Sequence, residues 1–176
     1  MSGPLFIAGD IHGNAANAAL LLTACREAGG RLLLLGDLLG HHRTAFSKGQ
    51  PVEEQLAECQ LSVLAVRGNC DTAFDEMLLP FELHDRLTLV EDGHTFLATH
   101  GHIFGEACPP RLPEGAVLLT GHTHIPAWRE HGGWYYANPG SLGQPKGTSP
   151  AGYLVYAAGR FRWYDLAGQV WMEKEL

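Results

Sequence analysis

Nowhere in this chain do the ~18 consecutive apolar residues of a membrane-spanning helix occur, so no membrane partner is expected. The acidic residue Asp10 follows Pro4-Leu5-Phe6-Ile7-Ala8-Gly9 too early for a secretory signal peptide, so no leader is expected. Cysteine is sparse and shows no paired spacing: Cys25, Cys59, Cys70 and Cys108 form no CxxC. That argues against a thiolate zinc ribbon or a disulfide framework and favours a reducing, cytoplasmic setting. Positive charge is also short, with 12 Lys and Arg against 19 Asp and Glu, a net charge of −7 and a pI near 5.7. Stable nucleic-acid binding is therefore not expected, because backbone-reading proteins present a basic face. A small phosphate ester stays open as substrate, since bound cations reverse the local field. Internal repeats, linkers and low-complexity tracts are missing as well; the 22 glycines and 10 prolines punctuate apolar segments instead.

What is present fits one globular domain over residues 1–176, with 45% hydrophobic residues to fill its core. Leu5 to Ala8 reads as a short strand, followed by the turn Gly9 to Asn14. An Ala/Leu-rich helix then runs from Asn14 or Asn17 to Ala28, with Asn as its N-cap and Gly29-Gly30 as its stop. Arg31 to Leu35 is apolar on both faces, as a buried parallel strand would be. Pro51 opens a helix over Val52 to Gln60, and Ser62 to Val66 is a third strand. The pattern so far is β-α-β-α-β. Thereafter hairpins dominate. Arg86 to Glu91 and Thr95 to Thr99 flank Asp92-Gly93-His94; Ile125 to His131 and Trp134 to Ala137 flank Gly132-Gly133; Gly152 to Ala157 and Arg160 to Asp165 flank Ala158-Gly159. Between the first two hairpins, Ala116 to Thr120 is a buried strand. Two packed sheets with helices outside are the architecture these segments predict.

Strand ends carry the chemistry. Asp10 and His12 follow the first apolar run, Asp37 the second, Asn69 the third and His100 a later one, while His122 and His124 follow the Ala116 run. Ligands at the carboxyl ends of strands fit the rule that α/β sites form in the crevice beyond those ends. Two residues apart, His122 and His124 would share a face on a regular strand and be splayed by a loop, and both readings stand. Nitrogen and oxygen donors without a thiolate suit manganese, iron or zinc. Seven donors over-supply one ion and suit two, which together can clamp the attacking and leaving oxygens of a phosphoryl transfer.

Six segments, in this order, resemble the calcineurin-like metallophosphoesterases, and in spacing their small stand-alone bacterial phosphodiesterases. They are Gly9-Asp10-Ile11-His12-Gly13-Asn14, Gly36-Asp37, Gly68-Asn69-Cys70-Asp71, Thr99-His100-Gly101-His102, Gly121-His122-Thr123-His124 and Asn138-Pro139-Gly140-Ser141. The resemblance spans residues 5 to 165. It implies an α-β-β-α four-layer sandwich of two mixed sheets and a two-metal centre, most often manganese, with iron, zinc, nickel or magnesium as alternatives. It also implies that Asp10, His12, Asp37 and His124 hold one ion, and that Asp37, Asn69, His100 and His122 hold the other. The expected activity is hydrolysis of a small phosphodiester by hydroxide raised on the two ions, with Asp37, Asn69, Cys70 and Asp71 as the catalytic set. Asn14, Arg67 and His102 are the candidates for substrate contact.

One position departs from the family pattern, where Gly-Asn-His-Asp is commonest and Cys70 replaces the histidine. A protonated thiol is uncharged at neutral pH and is no imidazolium, so most of the catalysis falls to the metals. Two other functions stand beside the diesterase. A binding scaffold of the same fold is disfavoured because all seven ligand positions are filled, and a phosphomonoesterase is disfavoured by Cys70. His41 and His42 read as solvated loop residues, and His84, His94 and His131 as structural. Trp128, Trp134, Trp163 and Trp171 read as sheet packing or as a surface, around the C-terminal hairpin, that pairs subunits into a homo-oligomer.

Overall fold

The computed structural model describes residues 3–40 and 49–176; the expectations for His41 and His42 lie outside the described residues. The strands are β1 (Leu5–Ala8), β2 (Arg31–Leu34), β3 (Val63–Ala65), β4 (Leu87–Glu91), β5 (His94–Ala98) and β6 (Ala116–Leu119), then β7 (Ala127–His131), β8 (Trp134–Asn138), β9 (Gly152–Ala157), β10 (Arg160–Asp165) and β11 (Val170–Glu175). The helices are α1 (Ala15–Glu27), α2 (Val52–Glu58) and α3 (Ala73–Leu78). Six strands form one sheet in the order β11-β10-β9-β1-β2-β3, and five form a second in the order β4-β5-β6-β8-β7. Both are mixed. β1, β2 and β3 run parallel, β9 pairs antiparallel to β1, and β5, β6 and β8 run parallel between antiparallel edges.

Alternation along the strands assigns each residue to a layer. Phe6, Ala8, Leu32 and Leu34 face α1 and α2, joining Leu21, Leu22, Cys25, Leu56 and Cys59 in one apolar cluster. Leu5, Ile7, Leu33 and Leu35 point the other way, onto Phe96, Ala98, Val117 and Leu119 of the second sheet. Fully buried Trp163 and Phe161 fill the same inter-sheet layer. Trp163 is therefore core, and truncating it to Ala would cost roughly 3–5 kcal/mol. The helices flank the six-stranded sheet. Leu97, Leu118 and Tyr136, on the outer face of the five-stranded sheet, pack with Leu112 of the irregular segment 101–115 rather than with a helix.

Two elements were not anticipated from sequence. Short α3 has no buried residue, so no apolar stripe marks it, although Thr72 and Asp75 close a reciprocal capping box at its start. Strand β11 lies at a sheet edge and is exposed at five of its six residues, so its pattern does not alternate. Its exposed Trp171 contrasts with Trp163, and Trp134 stacks on His131 with ring centroids 4.2 Å apart.

Candidate metal centre

The parallel strands β1, β2, β3, β5 and β6 end at one edge of the two-sheet core, and the turns beyond them converge. Asp10, His12, Asp37, His122 and His124 all adopt left-handed backbone, with φ between 47° and 66°. Non-glycine residues rarely do so, and such strain gathers where a site over-determines the chain. It also answers the His-x-His question: both imidazoles leave from a loop. Gly121 is required in that loop, because a Cβ there would lie 2.7 Å from Asp10 Oδ2, the oxygen that accepts the His122 N–H at 2.9 Å.

The side chains form two imidazole pairs around two carboxylates. His12 and His124 stack with centroids 5.1 Å apart, and His124 Nε2 and His12 Nε2 lie 3.3 and 3.9 Å from Asp10 Oδ1. His100 and His122 meet edge to face, also at 5.1 Å. Asp37 Oδ2 sits between the pairs, 3.8 Å from His12 Nε2 and 3.5 Å from His100 Nε2, while Asp37 Oδ1 accepts the Cys70 N–H at 2.8 Å. Donor atoms of three sets lie close enough together to hold a cation: Asp10, His12 and His124; His12, Asp37 and Cys70; and Asp10, Asp37 and His100. His122 contributes to none of these clusters; its ring stands beside His100 and His102.

For two of these rings, His100 and His124, the far side fixes the tautomer. His100 Nδ1 donates to Leu35 O at 2.7 Å, so its Nε2 is aimed at Asn69 Oδ1 and Asp37 Oδ2, both acceptors. Only a second proton or a cation satisfies that arrangement. His124 Nδ1 donates to Gln144 O at 2.6 Å and turns its Nε2 lone pair inward. Backbone partners of this kind orient metal-binding imidazoles. Asp10 Oδ1 and His12 Nε2 are buried and have no hydrogen-bond partner among the described residues. An unsatisfied buried polar atom costs roughly 1–3 kcal/mol, and two such electron-pair donors facing one cavity fit a cation.

Electrostatics agree with that reading. Burial, with the neighbouring Asp37 charge adding to it, pushes the Asp10 carboxyl up to about 7. Burial acts on Asp37 in the same sense, but the His100 imidazole and the Cys70 N–H outweigh it and hold Asp37 well below the usual carboxylate range. Burial lowers His12, His122 and His124, favouring neutral imidazoles that each keep one nitrogen lone pair. Burial opposes protonation of His100 too, but Asp37 more than offsets it and raises that ring. The Cys70 thiol is pushed up to about 11 by burial and by Asp37.

The remaining sequence candidates take varied positions. Asp71 accepts N–H bonds from Asp37, Leu38 and Gly68, each at 2.8 Å, so its carboxylate is spent on the turn that carries Asp37. Asn69 is exposed and donates its amide to Cys70 Sγ at 3.3 Å. Asn14 caps α1 through its side chain. Arg67 is paired with Glu76 at 2.6 Å, and exposed His102 stands 5.3 Å from His100, centroid to centroid.

Sequence reasoning missed what segment 138–146 does. Ser141 Oγ donates to Asp10 O at 2.8 Å and accepts the Gln144 N–H at 2.7 Å, and Gln144 O orients His124. One hydroxyl thereby ties a ligand loop from the first sheet to one from the second. Fully buried Asn138 adds bonds from its Nδ2 to Gly121 O and Thr123 Oγ1. The Asn-Pro-Gly-Ser motif marked the place, but the backbone carbonyl of Gln144 leaves no trace in residue type.

Clustered Asp and His donors gather at the tips of two mixed sheets, and the chain belongs to the calcineurin-like phosphoesterase superfamily, whose domain profile matches residues 4–159. It is 41% identical over 156 residues to the phosphodiesterase YfcE of Escherichia coli K12, covering 85% of this chain and 84% of that protein. The solved structure of YfcE, a phosphoesterase from E. coli, is similar with a TM-score of 0.89 at 34% identity, over 98% of each chain. Vps29 from Entamoeba histolytica, solved with Zn²⁺, has a TM-score of 0.66 at 19% identity over 98% of each chain, which shows the shared fold alone. Among the described residues, no helix is long and apolar enough to cross a membrane.

Proposed function

We propose that this chain is a phosphodiesterase that hydrolyses a small phosphodiester at a centre of two divalent cations, most often manganese. The observation that carries the reading is the unpartnered pair Asp10 Oδ1 and His12 Nε2, buried beside Asp37 Oδ2. Asp10, His12, His124 and Asp37 would hold one cation, and Asp37, Asn69, His100 and His122 the other. Bound there, divalent cations supply Lewis acidity toward phosphoryl oxygens and make water acidic enough to act as a nucleophile at neutral pH.

The protein's own part is positioning. Asp37, low in pKa and aligned by the Cys70 N–H, offers its second oxygen to both halves of the centre. Asp71 holds the Asp37 turn, and Leu35 O and Gln144 O keep the two inward-facing imidazoles in register. Cys70, next to Asp37, carries a thiol held protonated by burial and by that carboxylate, and supplies no positive charge. A leaving alcohol must then be acidic or take its proton from water. Similarity to the E. coli phosphodiesterase YfcE, 41% identical over most of both chains, supports a preference for diesters. The test is turnover of bis(4-nitrophenyl) phosphate with added Mn²⁺ by wild type and by Asp37→Asn. The variant should lose about 10²- to 10³-fold in kcat while its circular dichroism is unchanged, a loss in the range of removing a charge-stabilising group. Activity within a few-fold of wild type would refute the role of Asp37.

A further inference from the structure

A cavity of about 390 Å³ adjoins the centre on the side of His100, and its size is that of a small-ligand pocket. Its walls are Arg67, Asp85, Arg86, His102, Ile103 and Phe104. Three features set it apart from ordinary surface. Ile103 and Phe104 stand adjacent on one loop with relative exposures of 66% and 40%, although water gives apolar side chains no reason to be there. Their loop is built rather than loose: Thr99 Oγ1 donates to Phe104 O at 2.6 Å, and Gly105 N donates to Cys108 O at 3.3 Å. Two arginines line the cavity against a single lining carboxylate, Asp85, in a chain whose net charge is −7.

The two arginines differ in how they are held. Arg67 donates from Nη2 to Glu76 Oε2 at 2.6 Å, its backbone N–H bonds His84 O at 2.8 Å, and Glu76 Oε1 accepts the Leu83 N–H at 3.1 Å. Glu76 therefore staples the cavity floor and largely neutralises Arg67. Among the described residues no ion pair engages Arg86, which is left to read an anion. His100 connects the cavity to the centre, since it lines the cavity while its Nε2 lies 3.5 Å from Asp37 Oδ2.

We infer that this cavity receives the second alcohol of the diester, and that it selects a substituent with a flat ring and a further negative charge. Phe104 and Ile103 meet the ring, and Arg86 meets the charge. The inference rests on the phosphodiesterase reading and gives that reading a substrate class: aryl or nucleoside-like esters carrying an anionic group.

Three diesters with one leaving group separate the contributions: methyl, phenyl and 4-carboxyphenyl 4-nitrophenyl phosphate, assayed with Mn²⁺. Wild type should prefer phenyl over methyl, and carboxyphenyl over phenyl, each by about fivefold in kcat/KM, as exposed contacts of this kind allow. Phe104→Ala should erase the first preference and keep the second. Arg86→Ala should erase the second and keep the first, and because both side chains are exposed the two variants act as folding controls for each other. Equal kcat/KM for the three esters in wild type, or preferences that survive both substitutions, would overturn the pocket while leaving the phosphodiesterase intact. Failure to hydrolyse any of the three would overturn the phosphodiesterase and the pocket together.

Discussion

Single residues here are tuned by what lies behind them more than by their own type. Cys70 illustrates this: half-buried, beside Asp37 and Asp71, its thiol ionises only as pH rises toward about 11. The raised value favours the protonated form, so alkylation of Cys70 should be suppressed at neutral pH and climb with pH. In the metal-free protein at pH 8, iodoacetamide should label Cys70 about 100-fold more slowly than free cysteine in the same buffer, with exposed Cys108 showing that the reagent reaches the protein. Peptide mass mapping reads both rates; equal labelling of the two would show that Cys70 is an activated thiol. That Asp10, His12, Asp37, His100 and His124 would come together was legible in the sequence, because Asp and His after apolar runs have few structural reasons to recur. Their tautomers were not legible, because Leu35 and Gln144 act through backbone carbonyls that any residue would provide. Asp71 shows the same limit: its motif suggested chemistry, whereas both its oxygens are occupied by backbone N–H groups.

Elements transmit that tuning through turns rather than through strand interiors. Strands β1 to β10 followed from apolar runs and from turn residues, and the Asp92-Gly93 and Ala158-Gly159 hairpins have the paired positive φ angles of tight type I′ turns. Helix α3 and strand β11 escaped notice because each is mostly exposed, and burial is what writes periodicity into a sequence. Segment 138–146 was visible as a motif but not as a brace, since small polar groups and main chain make its bonds. The brace has a measurable consequence. Ser141→Ala removes the link between Asp10 and Gln144, and Mn²⁺ affinity should fall about tenfold, as it does when a ligand's outer partner is lost. Titration of the metal-free variant measures this independently of turnover. A lowered melting temperature with unchanged metal affinity would reduce Ser141 to a fold residue.

At the scale of the whole molecule, two mixed sheets press their inner faces together and leave the tips of five parallel strands at one edge. The core is apolar and fixed, while charge that the core cannot tolerate collects where strands end. Repulsion between Asp10 and Asp37, and the unpartnered Asp10 Oδ1 and His12 Nε2, leave the metal-free site destabilised. Cation binding should therefore stabilise the fold as a whole. At a free Mn²⁺ concentration near 100 times Kd, one site contributes about 2.7 kcal/mol. For a chain of this size that raises Tm by about 5–10 °C over an EDTA-treated sample. Asp37→Asn should abolish most of the rise, and identical melting curves with and without metal would count against any resident cation. The most direct measurement is anomalous diffraction at the manganese edge from crystals grown with Mn²⁺. The account predicts two peaks sharing Asp37, one against Asp10, His12 and His124 and the other against Asn69, His100 and His122. A single peak that does not touch Asp37, or peaks only elsewhere on the surface, would contradict it.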